Sequence, residues 1–195
     1  MIYLVRMRPK FHAAAVALVL VGTLSASGCA SEAPAADPTP TPSATPLFAS
    51  DEEALAAAEE AYAAYLAVSD LITAEGGQSP DRIDAVVVPE IRDDARASLA
   101  KFQERNLHTV GASSFDSTGL QRLSTGAADQ MVEVVIYACL DISTVRLLSE
   151  SGQDVTPSDR VNRLPLEVTF KSVATTAELR LQSSEPWAGE NFCVA

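Results

Sequence analysis

The sequence predicts an α+β fold in which N-terminal helices pack on one face of a four-stranded antiparallel sheet. Two observations predict it: apolar residues recur at helical spacing from residue 50 until shortly before Gly111, and at a period of two beyond it. A block of helices followed by a block of strands is typical of this class. About 145 residues are enough for one core, so we expect a single exported domain over residues 50–195.

A capping box predicts the start of the first helix. Ser50 is the expected N-cap, and Glu53 lies three residues later, where its side chain can reach back to the cap. We expect the helix to run to about Ala74 and to stop at Gly76-Gly77. Its apolar face carries Leu55, Ala58, Tyr62, Tyr65, Leu66 and Ser69.

Prolines predict two further helices. Ser79-Pro80-Asp81 opens a short helix that reaches about Val86. Pro89 opens a longer one that ends before Gly111. The apolar face of this longer helix consists of Ile91, Ala95, Leu99 and Phe102.

Alternating residues predict four strands. The clearest covers residues 131–142, and similar alternation covers residues 164–173 and 177–187. A weaker strand is expected over residues 113–124, and residues 149–162 are expected to form a loop. In the first of these strands, one face carries Val132, Val134, Ile136, Ala138, Leu140 and Ile142, and the other carries Glu133, Val135, Tyr137, Cys139 and Asp141.

The N-terminus has the three-part layout of a secretory signal. A basic region without acidic residues precedes an apolar run of about a dozen residues, which is shorter than the roughly 20 that span a bilayer. Residues 25–29, Ser-Ala-Ser-Gly-Cys, resemble the bacterial lipobox. We therefore expect residues 1–28 to be a lipoprotein signal peptide and Cys29 to carry the lipid. The alternative is an uncleaved signal anchor in which Cys29 is incidental.

Residues 29–49 are predicted to be a tether between the lipidated Cys29 and the domain. Prolines recur through this segment and favour an extended chain of about 3.1 Å per residue. Acyl chains on Cys29 would hold the protein stably on a membrane. The expected location is the extracytoplasmic face of the cell membrane.

The charge argues against nucleic acid as a partner. The chain has 14 Lys+Arg against 26 Asp+Glu, a formal net charge of −12. Phosphate binding requires a clustered basic surface, and loss of the signal peptide with its basic residues makes the remainder more acidic.

Two cysteines remain once Cys29 is lipidated. An even pair in an oxidising compartment is usually bonded, so we expect Cys139 and Cys193 to form a disulfide that pins the C-terminal tail across the sheet. The alternative is two free thiols. A pair of cysteines without a second pair or a nearby histidine lacks the four ligands of a typical metal site, and we expect neither a metal nor a cofactor.

Few residues indicate catalysis. His108 is expected at the surface, because no serine or cysteine motif accompanies it. One hypothesis places Asp141 as a base in a pocket between helix and sheet, with Tyr62 or Tyr65 as hydrogen-bond donor and a raised carboxyl pKa. The simpler interpretation puts the tyrosines in the core and Asp141 at the surface or bonded at a strand end. Three other aromatic residues are expected to pack rather than to bind a ligand: Tyr137, Trp187 and Phe192.

Four segments carry a resemblance to a known superfamily: Ala63, Tyr65 and Leu66; residues 137–141; residues 163–168; and Trp187, Gly189 and Cys193. With the order of the elements, they resemble the NTF2-like, cystatin-like α+β superfamily, and more narrowly the small lipoproteins of high-GC Gram-positive bacteria that carry such a domain. The resemblance implies a curved sheet that closes a cone, a cavity under the sheet and the Cys139–Cys193 bridge. It implies no single activity, since the superfamily holds isomerases, dehydratases, transport factors and accessory domains.

These observations predict a membrane-anchored lipoprotein with a non-catalytic binding or accessory domain for a small hydrophobic ligand or a surface protein. The alternative is a small NTF2-like cone-pocket enzyme, of isomerase or dehydratase type, that acts on an apolar metabolite with Asp141 as base. A deep pocket with two converging polar side chains would favour the enzyme. The sequence leaves the oligomeric state open.

Overall fold

The structure is a computed structural model that describes residues 46–126, 131–174 and 176–193. These residues belong to one unit, Ala44–Ala195. The predicted signal peptide, Cys29 and the tether up to residue 45 lie outside the described residues. None of the described helices combines the length and the apolar character needed to cross a membrane.

The first helix, α1 (Asp51–Ala74), begins where the capping box predicts. The Glu53 N–H donates to Ser50 Oγ at 3.2 Å, and the Glu53 carboxylate accepts from the Ala49 N–H at 2.6 Å. The returning bond therefore reaches one residue further back than in the usual box. Phe48, which the sequence analysis places in the tether, is buried in the core.

The two proline-opened segments differ in type from the prediction. The first is a 3-10 helix, Pro80–Ala85. The second starts as a 3-10 turn, Pro89–Ile91, and becomes α-helical only over α2 (Arg92–Glu104). The helix ends at Glu104, well before Gly111, because the chain then enters a strand.

Gly77 allows α2 to lie close to the end of α1. Its φ is +79°, and a Cβ there would lie 2.5 Å from the Leu99 carbonyl oxygen. Glycine alone meets both conditions without strain. The predicted helix stop thus also sets the approach of the two helices.

Six strands follow α2 within the described residues, β1 to β6 in chain order: Leu107–Val110, Ser114–Thr125, Val132–Asp141, Arg146–Ser149, Arg163–Ser172 and Leu179–Pro186. Four of them form an antiparallel sheet in the order β2-β3-β5-β6. The predicted α+β architecture, with N-terminal helices against a four-stranded antiparallel sheet, is confirmed.

Strands β1 and β4 form a separate antiparallel ribbon that the sequence analysis missed. Leu107 pairs with Ser149 and Val110 with Arg146. Each strand has four residues, too few to display a clear alternation, and the partners are about 40 residues apart. The ribbon is joined to α1 by a buried contact of 2.8 Å between the hydroxyls of Thr73 and Thr109.

The helix α1 lies across one face of the sheet, which we call the inner face. On the central strands β3 and β5, the buried residues of the inner face are Val134, Ile136, Ala138, Leu166, Val168 and Phe170. Successive residues of a strand point to opposite faces, so the outer face carries Glu133, Tyr137, Asp141, Glu167 and Lys171.

A tail, residues 187–193, covers part of the outer face. A disulfide joins Cys139 in β3 to Cys193, with 5.5 Å between the two Cα atoms, as predicted. The backbone N–H of Trp187 donates to the Pro165 carbonyl oxygen at 2.8 Å, which extends the sheet pairing beyond β6.

Candidate functional site

The sheet separates the residues of the predicted catalytic pocket. Tyr62 lies in α1 and packs on the inner face, against Phe115 and Phe170. Asp141 lies on the outer face, because alternation along β3 puts it on the same side as Tyr137 and Cys139. The expected pocket between helix and sheet is therefore not formed by Asp141 with Tyr62 or Tyr65.

Asp141 is a structural acceptor at the end of β3. Its Oδ1 accepts from the Ser143 N–H at 2.8 Å, and its Oδ2 accepts from Arg163 at 3.1 Å. These contacts, Ser143 first, hold the pKa of the Asp141 carboxyl below its ordinary value. The hypothesis of a base with a raised pKa requires the opposite shift. The simpler interpretation, a carboxylate bonded at a strand end, fits the contacts.

The two tyrosines of α1 have different surroundings. Tyr62 is 1% exposed, and burial raises its pKa to about 12 despite a hydrogen bond with Ser184. Its ring stacks on Tyr65, with 6.2 Å between the ring centroids. Burial also raises the pKa of Tyr65, but this ring is only partly buried and lines a cleft. Tyr62 therefore belongs to the hydrophobic core, whereas Tyr65 forms part of the wall of that cleft.

Three aromatic residues form a cluster where the C-terminal tail meets the outer face: Tyr137 on β3, and Trp187 and Phe192 in the tail. The Tyr137 ring centroid lies 4.9 Å from that of Trp187 and 5.6 Å from that of Phe192. The first pair is edge-to-face and the second is tilted, and centroid distances in this range are favourable for aromatic rings. The three rings pack the tail onto the outer face, next to the disulfide.

His108 lies in β1, opposite Leu148. It lines an open recess of about 390 Å³ together with Glu75 and Glu150. Within the described ranges, no group of three or more potential ligand side chains is placed to hold a metal ion.

A cleft that the sequence analysis did not anticipate opens between α1, α2 and β6. We call it the edge cleft; its volume is about 520 Å³, within the usual range for ligand sites. Its lining includes Tyr65 and Ser69 of α1, Asp94, Ser98, Leu99 and Phe102 of α2, and the edge-strand segment 181–185.

A β-bulge in β6 shapes the wall of the edge cleft that residues 181–185 form. Phe170 pairs with Leu181 and Thr169 pairs with Ser183, so Gln182 is an extra residue without a cross-strand partner. Bulges re-aim side chains and end regular pairing. No local sequence signal marks this bulge, and the cleft also depends on where α2 docks, so sequence reasoning could not find it.

The edge cleft has few charged groups. Its only charged lining residues among those described are the carboxylates Asp94 and Glu185. A nucleophile needs a base within hydrogen-bond reach, and among the described lining residues no side-chain hydroxyl bonds a carboxylate or imidazole side chain.

No protein-family model matches the chain, and no curated protein matches it. Two of the solved structures that show partial likeness differ in origin. One is the intermembrane space region of the chloroplast protein ARC6, with 10% identity and a TM-score of 0.43, over 69% of this chain and 97% of that chain. The other is a de novo β-sheet design, with 12% identity and a TM-score of 0.26, over 72% of this chain and 96% of that chain. At these identities and TM-scores, neither likeness carries an argument about this chain.

Proposed function

We propose that this chain is an exported lipoprotein, held on the extracytoplasmic face of the cell membrane by lipid on Cys29, with residues 50–195 as a non-catalytic binding domain. The observation that carries the proposal is the Cys139–Cys193 disulfide. Structural disulfides form and persist in oxidising compartments and are rare in the cytosol. The disulfide thus supports the export that the N-terminal pattern predicts.

The N-terminal pattern supports the anchor. The basic residues, the short apolar run and the small residues before Cys29 follow the order of a lipoprotein signal. The proline-rich segment after Cys29 would carry the domain away from the lipid surface. The acidic body gains nothing from anionic lipids, so the acyl chains supply the attachment.

The edge cleft supports a binding role. It has an apolar floor, including Leu99 and Phe102, and carboxylates at its rim. Asp141, the nominal base of the enzyme hypothesis, lies on the other face of the sheet and bonds Arg163. We therefore favour a binding or accessory domain over an NTF2-like enzyme, with a surface protein or a small partly hydrophobic ligand as its partner.

Metabolic labelling tests the anchor. The full-length protein is expressed in a bacterial host that is fed an alkyne-tagged fatty acid, and labelled protein is detected after affinity capture. We expect labelling of the wild type and complete loss in Cys29→Ala. The matched control is Cys193→Ala, which removes a different cysteine and should keep the label. Unlabelled wild type, or a labelled Cys29→Ala variant, would refute the proposed anchor.

A further inference from the structure

The outer edge of β6 is covered over only part of its length. The Leu181 N–H donates to the Val86 carbonyl oxygen at 3.0 Å, and the Val88 N–H donates to the Leu181 carbonyl oxygen at 2.9 Å. The segment 86–88 thus acts as a short added strand beside Leu181. It leads away at Pro89, and from there the edge of β6 faces the edge cleft.

The backbone of Ser184 points into this open stretch. In an antiparallel pair, alternate residues direct their N–H and C=O groups to the neighbouring strand and away from it. The backbone N–H of Trp187 bonds the Pro165 carbonyl oxygen of β5. The backbone N–H and C=O groups of Ser183 and Glu185 therefore also point to β5, and those of Ser184 point away from it. Within the described ranges, the backbone of Ser184 has no hydrogen-bond partner on that side.

A side-chain acceptor in the same wall also lacks a partner. The Gln182 Oε1 atom is buried and accepts no hydrogen bond from the described residues. A buried acceptor left unpaired is costly. A donor from an occupant of the cleft would satisfy it.

The charges around this edge favour a cationic occupant. Glu185 lies directly opposite Glu167 on the outer face, and like charges in that position repel each other. Asp94 lies at the rim of the cleft. Neither Asp94 nor Glu185 forms an ion pair with another described residue.

We propose that the edge cleft binds an extended segment of a partner protein, with alternating apolar and basic residues, which adds as a short strand to β6 beside Ser184. The segment continues the edge pairing where residues 86–88 leave it. This inference rests on the binding role proposed above, and not on the lipid anchor.

Strand alternation assigns the side chains of the bound segment. A residue beside Ser184 points to the inner side, towards Tyr65, Leu99 and Phe102. Its neighbours point to the outer side, where a lysine or arginine lies near Glu185. Pro186 has no N–H and ends the usable edge, so the segment that pairs is short.

Fluorescence anisotropy of labelled peptides tests the proposal. The probes are three fluorescein-labelled hexapeptides that alternate arginine with valine, leucine or phenylalanine, and the receptor is the full-length protein in a non-ionic detergent. We expect saturable binding of at least one probe. The variant Asp94→Asn/Glu185→Gln should weaken it about fivefold to tenfold. The matched control, Asp93→Asn/Glu190→Gln, removes two charges outside the cleft and should leave affinity unchanged.

Backbone methylation separates strand addition from simple charge attraction. Alternate N–H groups of an added strand face β6, so N-methylation of one alternate set should weaken binding more than about tenfold. Methylation of the other set should be tolerated. Equal effects of the two sets, competition by arginine amide as strong as by the peptide, or no saturable binding up to millimolar concentration would overturn the inference. Fatty-acid labelling at Cys29 does not depend on these results, so the two proposals fail separately.

Discussion

The two faces of the main sheet are covered by different means. On the inner face, α1 buries apolar side chains such as Ile136, Val168 and Phe170 completely. On the outer face, the same strands carry charged and aromatic residues, and a short tail covers them. That tail is held by one disulfide, by the Tyr137 ring cluster and by Arg163.

The difference indicates which environment each face requires. Apolar burial works in any aqueous compartment, because it depends only on the area removed from water. The outer cover buries one cluster of aromatic rings and is fastened by a covalent bond that forms and persists mainly in oxidising surroundings. The cover of the inner face is therefore independent of the redox state of the compartment, whereas the cover of the outer face depends on it.

The largest expected effect is on the inner face. Phe170→Ala removes a fully buried ring that packs against Tyr62, and should lower the free energy of unfolding by about 3–5 kcal/mol. The neighbouring control is Lys171→Ala on the outer face, which should cost less than about 1 kcal/mol. Urea denaturation followed by circular dichroism measures both. Equal losses would contradict the assignment of the faces.

The second-largest effect is expected when the disulfide that holds the tail on the outer face is removed. The double variant Cys139→Ala/Cys193→Ala opens a loop with a sequence separation of 54, and should lose about 2–4 kcal/mol in the free energy of unfolding. Trp187, the single tryptophan, should become more solvent-exposed, with a red-shifted emission, while helix content stays constant. An unchanged emission and an unchanged unfolding midpoint would show that the rings hold the tail without the bond.

A smaller effect is expected from the tail itself. A Cβ on Gly189 would lie 2.4 Å from Nε1 of the Trp187 indole, so Gly189→Ala must displace the ring and should cost about 1–3 kcal/mol. Gly119→Ala is the matched control, since nothing lies within 4 Å of the added carbon. Thermal unfolding of both variants compares them. Equal midpoints would contradict the close packing of Gly189 on Trp187.

The smallest effect concerns Asp141. Its pKa is lowered in the folded state by Ser143 and Arg163, so its contribution to stability is present above the ordinary value of 3.8 and is lost as pH falls through the lowered pKa. Asp141→Asn should therefore be less stable than wild type at neutral pH, and the difference should shrink on acidification. In an Arg163→Met background most of this pH dependence should remain, because Ser143 is the larger cause. A difference that grows on acidification would have the wrong sign.

Much of the sheet was predictable because strand alternation is a local property. The first and last residues of β3 and β5 fall within one or two positions of the predicted ones. The position of Asp141 on the same face as Cys139 also follows directly from the pattern. The same alternation puts Asp141 away from Tyr62, and the predicted shared pocket overlooked this. The ribbon of β1 and β4 and the edge cleft depend on long-range pairing, a bulge and helix docking, none of which a local pattern reports.

Thiol trapping in cells tests the central claim, an exported domain closed by a disulfide, most directly. The full-length chain and a variant without residues 2–28 are expressed in a bacterial host and treated with a maleimide that adds mass to each free thiol, with and without prior reduction. We expect Cys139 and Cys193 of the full-length chain to react only after reduction, and those of the truncated variant to react at once. Reaction of both cysteines in the unreduced full-length chain would contradict the account.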